Sequence, residues 1–125
     1  MRERSRSDVF RLKLDLAATA RTPQELPALG NGIQAQESVV TALACFASSP
    51  DDYLTAIGRA ILLGGDTDTI AAMTGAVAGA YLGVGAIPPQ LLAILEDHSE
   101  MKGRSYITEL AKRLYQAHVA TTANC

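Results

Sequence analysis

Tryptophan is absent from the 125-residue chain, and aromatic residues of all kinds make up only 5% of it. A large aromatic-lined pocket is therefore not expected, and the supply of glycine and alanine favours closely packed helices instead. Cysteine is nearly absent as well. Cys45 stands in an apolar run and Cys125 is the last residue, which makes neither a disulfide framework nor a metal-ligand pair. A reduced intracellular protein is the default that follows, with cytoplasm, nucleus and mitochondrion left open. A strong excess of either charge is missing too: the net charge of −2 offers no electrostatic case for direct nucleic-acid binding or for an anionic membrane. Only the opening "MRERSRS", with Arg2, Arg4 and Arg6, is basic, and without an amphipathic pattern it reads as a frayed terminus rather than a transit peptide. No apolar run reaches bilayer length; the longest, Ile70 to Val84, is too short and begins beside two aspartates. No secretory signal is visible. What is present, 48% hydrophobic and 19% charged residues, fits a folded globular chain of single-domain size.

Almost every punctuation mark along the chain is a helix signal. Leu12, Leu14, Leu16 and Ala17 close a short helical lead-in. "TPQE" at Thr22 to Glu25 reads as a capping box opening a short helix, with Pro23 in its first turn and Glu25 reaching back. "LGNG" at Leu29 to Gly32 follows as a tight loop, since glycines on both sides of Asn31 permit positive φ. From Gln34 to Ala47 the positions Val39, Val40, Leu43, Ala44 and Ala47 recur at helical spacing. "SSPDD" predicts another start, capped by Ser49, and its helix carries Tyr53, Ile57, Ala60, Ile61 and Leu62 before stopping at Gly64-Gly65. A helix over Ile70–Leu82 follows the "DTDT" loop. Its glycines at 75, 79 and 83, beside Ala72, Ala76 and Ala80, suggest a surface where another backbone comes close, because interior glycine otherwise costs about 1 kcal/mol against alanine. Pro88-Pro89 opens a further helix through Leu95, and a last amphipathic one spans Tyr106 to His118 with Ile107, Leu110, Ala111 and Leu114 on its apolar face. No period-2 pattern competes, so the fold class is all-α.

Chemistry concentrates at Asp66-Thr67-Asp68-Thr69. Two carboxylates and a hydroxyl within a turn of chain are hard oxygen donors, and so few suit Mg²⁺, which keeps several waters. An EF-hand is excluded because Ile70 occupies the next ligand position. Zinc is disfavoured because no His or Cys lies near. The plain alternative is that Asp66 or Asp68 caps the next helix. From spacing alone, capping and cation binding both stand.

"LGGDTDTIAAMTGAVAGAYLG", together with "LGNGIQAQES" upstream of it, resembles the C-terminal part of the ADP-ribosylhydrolases, also called ADP-ribosylglycohydrolases. Within that family the likeness is greatest to the ADP-ribosylserine and poly(ADP-ribose) hydrolase type. It runs from about Leu12 to Tyr115, weakest after Pro88. The resemblance implies a compact orthogonal helical domain, of which residues 1–125 are the C-terminal portion. It also implies two Mg²⁺ ions at the base of a cleft that binds the ADP-ribose of modified proteins or of poly(ADP-ribose), and hydrolysis at the distal ribose C1″. By the same likeness Asp66, Asp68 and Thr69 are metal ligands, with Asp68 bridging both ions. Ile33 contacts the bound nucleotide, and Gly30, Asn31 and Gly32 shape that wall. The complete protein is expected to be a monomer.

The departures from the family matter equally. Members are much longer, and the general acid/base, a Thr-Asp-Asp cluster and a Gly-rich substrate loop are expected upstream. Glu3, Glu25 and Glu37 are the only glutamates before "DTDT", and none stands in the family's acid motif, so no catalytic residue is assigned in this chain. Glu37 reads as a helix-face residue, and His98 and His118 as solvated. Unpaired neighbouring carboxylates repel, so weak Mg²⁺ binding and weak or absent hydrolysis are expected of this polypeptide alone. Helix surfaces of "TIAAMTGAVAGAYLG" are expected to lie open. A competing hypothesis is a non-catalytic all-α interaction module that packs through the Gly/Ala helix.

Overall fold

Local capping and glycine stops divide the chain much as the sequence predicts. The computed structural model describes residues 6–20, 22–95 and 103–122. Arg2, Arg4, Glu3, His98 and Cys125 lie outside the described residues. The helices are α1 (Arg6–Thr19), α2 (Ala35–Ala47), α3 (Tyr53–Leu62), α4 (Thr67–Leu82), α5 (Pro89–Ala93) and α6 (Arg104–Thr122), with short 3-10 turns at Leu26–Leu29 and Val84–Ala86. Among the described residues there is no strand, and no helix is long and apolar enough to cross a membrane. The chain forms two compact units, Met1–Ile87 and Pro88–Cys125.

In the first unit α2 packs against α1, α3 and α4, and α3 against α4. Its core holds Leu26, Leu29, Val40, Cys45 and Ile70, filled out by Ala17, Ala20, Ala42, Ala44 and Ala60. Small residues at the crossings bring helix backbones close. Thr74 of α4 makes this visible: its hydroxyl lies 2.8 Å from the Ile70 carbonyl of its own helix and 3.3 Å from the Ala42 carbonyl of α2. Burial pushes the Cys45 thiol up to about 11, against the pull of the Arg59 charge, so it is an inert core group at neutral pH.

Several local expectations are corrected. "TPQE" does not open an α-helix. The Thr22 N–H and hydroxyl both donate to Glu25 Oε2 at 2.9 Å, but the pair closes a turn that runs into the 3-10 helix, where Pro27 sits. Ser49 does not cap α3; its hydroxyl turns to the Ser48 carbonyl, and Asp52 accepts from the Thr55 N–H at 2.9 Å instead. On α2, Leu43 and Ala47 face outward while Ser38, Thr41 and Cys45 are buried. Packing neighbours decide that face, and the buried hydroxyls avoid a penalty by donating to the Gln34 and Gly30 carbonyls. On α4 no backbone approaches the glycines. Gly75 leaves room for Ile57 Cδ1 and the Tyr53 hydroxyl, a Cβ there lying 3.3 and 3.4 Å from them, and Gly83 ends the helix at φ +80°. Ala72, Ala76 and Ala80 are exposed, as expected of this helix.

In the second unit Pro89 takes the first position of α5, which ends at Ala93, short of Leu95. The last helix is longer than read, Arg104–Thr122, and all of its described side chains are exposed, including Ile107, Leu110, Ala111, Leu114 and His118.

Candidate functional site

Two glycines end α3 and turn the chain back. Gly64 and Gly65 both adopt φ +69°, a left-handed conformation that costs other residues strain. At Gly65 space is as decisive as φ, because a Cβ there would strike the Asn31 carbonyl oxygen and lie 2.6 Å from Asn31 Cγ. Asn31 fills the hollow of this turn. Its carbonyl accepts the Asp66 N–H at 2.8 Å, and its Nδ2 donates to the Leu63 carbonyl at 2.9 Å. The "LGNG" loop and the "GGDTDT" turn, more than thirty residues apart in sequence, are thereby clasped together.

From this clasp α4 starts at Thr67, three residues earlier than predicted, so Asp68 and Thr69 stand in its first helical turn and not in a loop. The extension is favourable because carboxylates near a helix N-terminus meet the positive end of its dipole. Asp66 occupies the N-cap position, its carbonyl taking the Ile70 N–H at 3.0 Å, yet its carboxylate makes no capping hydrogen bond. Half-buried Asp66 and exposed Asp68 and Thr69 thus stand together at one helix end with oxygens uncommitted. That donor set suits a hard cation, but it is partial: among the described residues no group of three or more His, Cys, Asp or Glu side chains gathers to hold a metal.

The other wall is equally built. Gly30 adopts φ +91°, and its carbonyl accepts from the buried Thr41 hydroxyl at 2.6 Å. Lys13 Nζ donates to the Leu29 carbonyl at 2.7 Å. Glu37 is not a simple helix-face residue. Its Oε2 takes the Gly32 N–H at 2.9 Å, and its Oε1 lies 3.5 Å from Lys13 Nζ. So fixed, the loop leaves Ile33 84% exposed. A cavity of about 240 Å³ lies elsewhere in this unit, lined by Pro23, Leu26, Pro27, Arg59, Leu62 and Leu63, and none of the candidate residues lines it.

Sequence reasoning named Gly30 to Ile33 and Asp66, Asp68 and Thr69, and the fold brings the two stretches together. It missed Lys13, Glu37 and Thr41. The one available signal was Glu37 at the third position of a helix, where a side chain can reach back to the N-cap.

A profile of the family described as ADP-ribosylglycohydrolase matches residues 2–124. The chain is 40% identical over 100 residues to ADP-ribosylhydrolase ARH3 of Danio rerio, covering 72% of this chain and 25% of that protein. With ADP-ribosylhydrolase ARH3 of Homo sapiens it shares 41% identity over 97 residues, 70% of this chain and 26% of the relative. A bacterial protein, YegU of Escherichia coli (strain K12), is 40% identical over 84 residues, 67% of this chain and 25% of its own length. The chain thus spans about a quarter of the length of the curated relatives it matches. No solved structure matches it.

Proposed function

Because the chain belongs to the ADP-ribosylglycohydrolase family, we propose that it supplies part of a Mg²⁺-dependent site that hydrolyses ADP-ribosyl linkages, on serine-modified proteins or in poly(ADP-ribose). The observation that carries this reading is the uncapped Asp66 carboxylate beside Asp68 and Thr69, on a turn clasped through Asn31 to the loop that presents Ile33.

In this reading Asp66, Asp68 and Thr69 would hold the cations, with Asp68 the more exposed of the two carboxylates. Bound magnesium supplies Lewis acidity, orients ribose hydroxyls and lowers the pKa of a water. The chain's own residues hold the donors and the nucleotide in register. Gly64-Gly65 and Asn31 fix the backbone entering α4, and Ile33 offers an apolar face to the nucleotide next to the polar turn. Gly30, Asn31 and Gly32 shape the wall on which Ile33 stands. No side chain of this chain is assigned proton transfer, since Glu25 is bonded to Thr22, and Glu37 to Gly32 and Lys13. The acid/base belongs to the portion of the family domain that this chain does not span. ADP-ribose is the partner, with no direct nucleic-acid or membrane contact, and the complete protein acts as a monomer inside the cell.

The test is Mg²⁺-dependent thermal stabilisation of the chain by ADP-ribose. Asp66→Ala combined with Asp68→Ala abolishes it, and stabilisation that survives the double substitution sinks the metal assignment. The purified chain alone releases little or no ADP-ribose from a serine-modified peptide; efficient release refutes the partial-site reading. The exposed Ala72, Ala76 and Ala80 favour a second reading, a helical interaction module packing through α4, for which the double substitution changes nothing.

A further inference from the structure

Glu37 lies at the third position of α2, where a glutamate ordinarily serves its own helix end. Here it does something else. Its carboxylate reaches five residues back, past the N-cap residue Gln34, to the Gly32 N–H at 2.9 Å. Lys13, itself bonded to the Leu29 carbonyl, holds the other carboxylate oxygen at 3.5 Å. The two glycines of "LGNG" leave the space this requires. A Cβ on Gly30 would lie 2.7 Å from Glu37 Cδ, and one on Gly32 2.7 Å from Glu37 Oε2. Gly32 has no positive φ, so its glycine is explained by the carboxylate it cradles and not by backbone conformation. The residue immediately after this bond is Ile33, 84% exposed.

We propose that Glu37 is a positioning residue for ligand binding: braced by Lys13, its carboxylate grips the Gly32 N–H and so sets the wall from which Ile33 meets the nucleotide. The proposal rests on the reading of Ile33 given under Proposed function. Glu37 acts through the loop and touches no reacting atom. A charged acceptor suits this task because its hydrogen bond to an N–H is stronger than a neutral one and survives partial exposure.

The full chain carries the test, with amide hydrogen exchange and ADP-ribose affinity in Mg²⁺ measured side by side. In Glu37→Ala, Gly32 exchanges roughly tenfold faster and ADP-ribose binds roughly tenfold more weakly, the fold-change of one lost charge-assisted hydrogen bond. Amides of Val40 to Cys45, deeper in α2, keep their rates. Glu37→Gln, whose amide oxygen still accepts from Gly32 but lacks the charge and the Lys13 pair, recovers only part of both losses. Glu37→Asp keeps the charge but falls one methylene short, and reproduces the alanine result at Gly32 even if the alanine variant fails to fold. Uniform acceleration along α2 makes Glu37 an ordinary stabilising residue and overturns the proposal, as does faster Gly32 exchange with unchanged affinity. A wild-type chain that takes up no ADP-ribose removes the underlying ligand reading, and Gly32 exchange then decides alone whether Glu37 sets the loop.

Discussion

The clasp around Asn31 and the helix α6 are opposite ways of using a sequence. The clasp has little hydrophobic material; it is held by specific backbone groups, two left-handed glycines and one asparagine. Helix α6 carries a clear apolar stripe in Ile107, Leu110 and Leu114, and each of these is at least half exposed. Helical periodicity is written into a short stretch of sequence, whereas burial needs a partner surface, and hydrogen bonds between distant loops need a fold already in place. Substitutions in the two regions should therefore differ sharply in effect.

The largest effect is expected at Gly65. Gly65→Val adds a β-branched side chain at φ +69° and drives it into the Asn31 carbonyl, so the clasp must open. Urea denaturation should show a loss of about 3 kcal/mol, the upper end of strained-backbone costs with a steric clash added; a loss below about 1 kcal/mol would mean that the turn is not rigid. Asn31→Ala comes next. It deletes the bond to the Leu63 carbonyl but keeps the backbone bond to Asp66, and it should cost about 1–2 kcal/mol in the same assay while weakening the ADP-ribose binding proposed for this site.

A smaller, pH-dependent effect belongs to Asp52, the cap of the helix that leads into the clasp. The Thr55 backbone N–H, and then its hydroxyl, hold the Asp52 carboxyl below its ordinary value of 3.8. A lowered folded-state pKa gives stability that is present above the unfolded value and lost as pH falls through the folded one. The melting temperature of Asp52→Ala should accordingly lie below wild type at neutral pH, and the two should converge as pH drops beneath 3.8; a gap that persists in acid would deny the cap its role. The smallest effect is expected on α6, where Leu114, 72% exposed, can become alanine with a change within about 0.5 kcal/mol. A larger loss would show that α6 is covered in solution and would erase the contrast with the clasp.

Much of the fold was legible because its cues are local. Pro89 in a first turn, the glycine pair after α3 and the 3.6-residue spacing in α2 and α4 act within a few residues of themselves. Errors came where distance in sequence mattered. On α2 the apolar Leu43 and Ala47 are exposed while Ser38 and Thr41 are buried, because three neighbouring helices, not side-chain polarity, decide what is covered. Ser49 and Asp52 are both good caps by type, and only the path of the turn between them selects one. At Gly75 the reason for glycine lies in the Tyr53 and Ile57 side chains, which no pattern within α4 reveals.

By itself, then, the sequence determined that the chain is helical, roughly where its helices lie, and that oxygen donors gather at Asp66, Asp68 and Thr69. Those properties depend on dihedral preferences and on residues within one or two turns of each other. Tertiary structure alone decided that Asp66 would not spend its carboxylate on capping, that Asn31 would join two loops, and that Glu37 would reach past its own helix to Gly32. Each of these turns on a hydrogen bond whose geometry depends on where separate segments come to rest. Residue type determines which groups can donate or accept, and packing determines which of them meet.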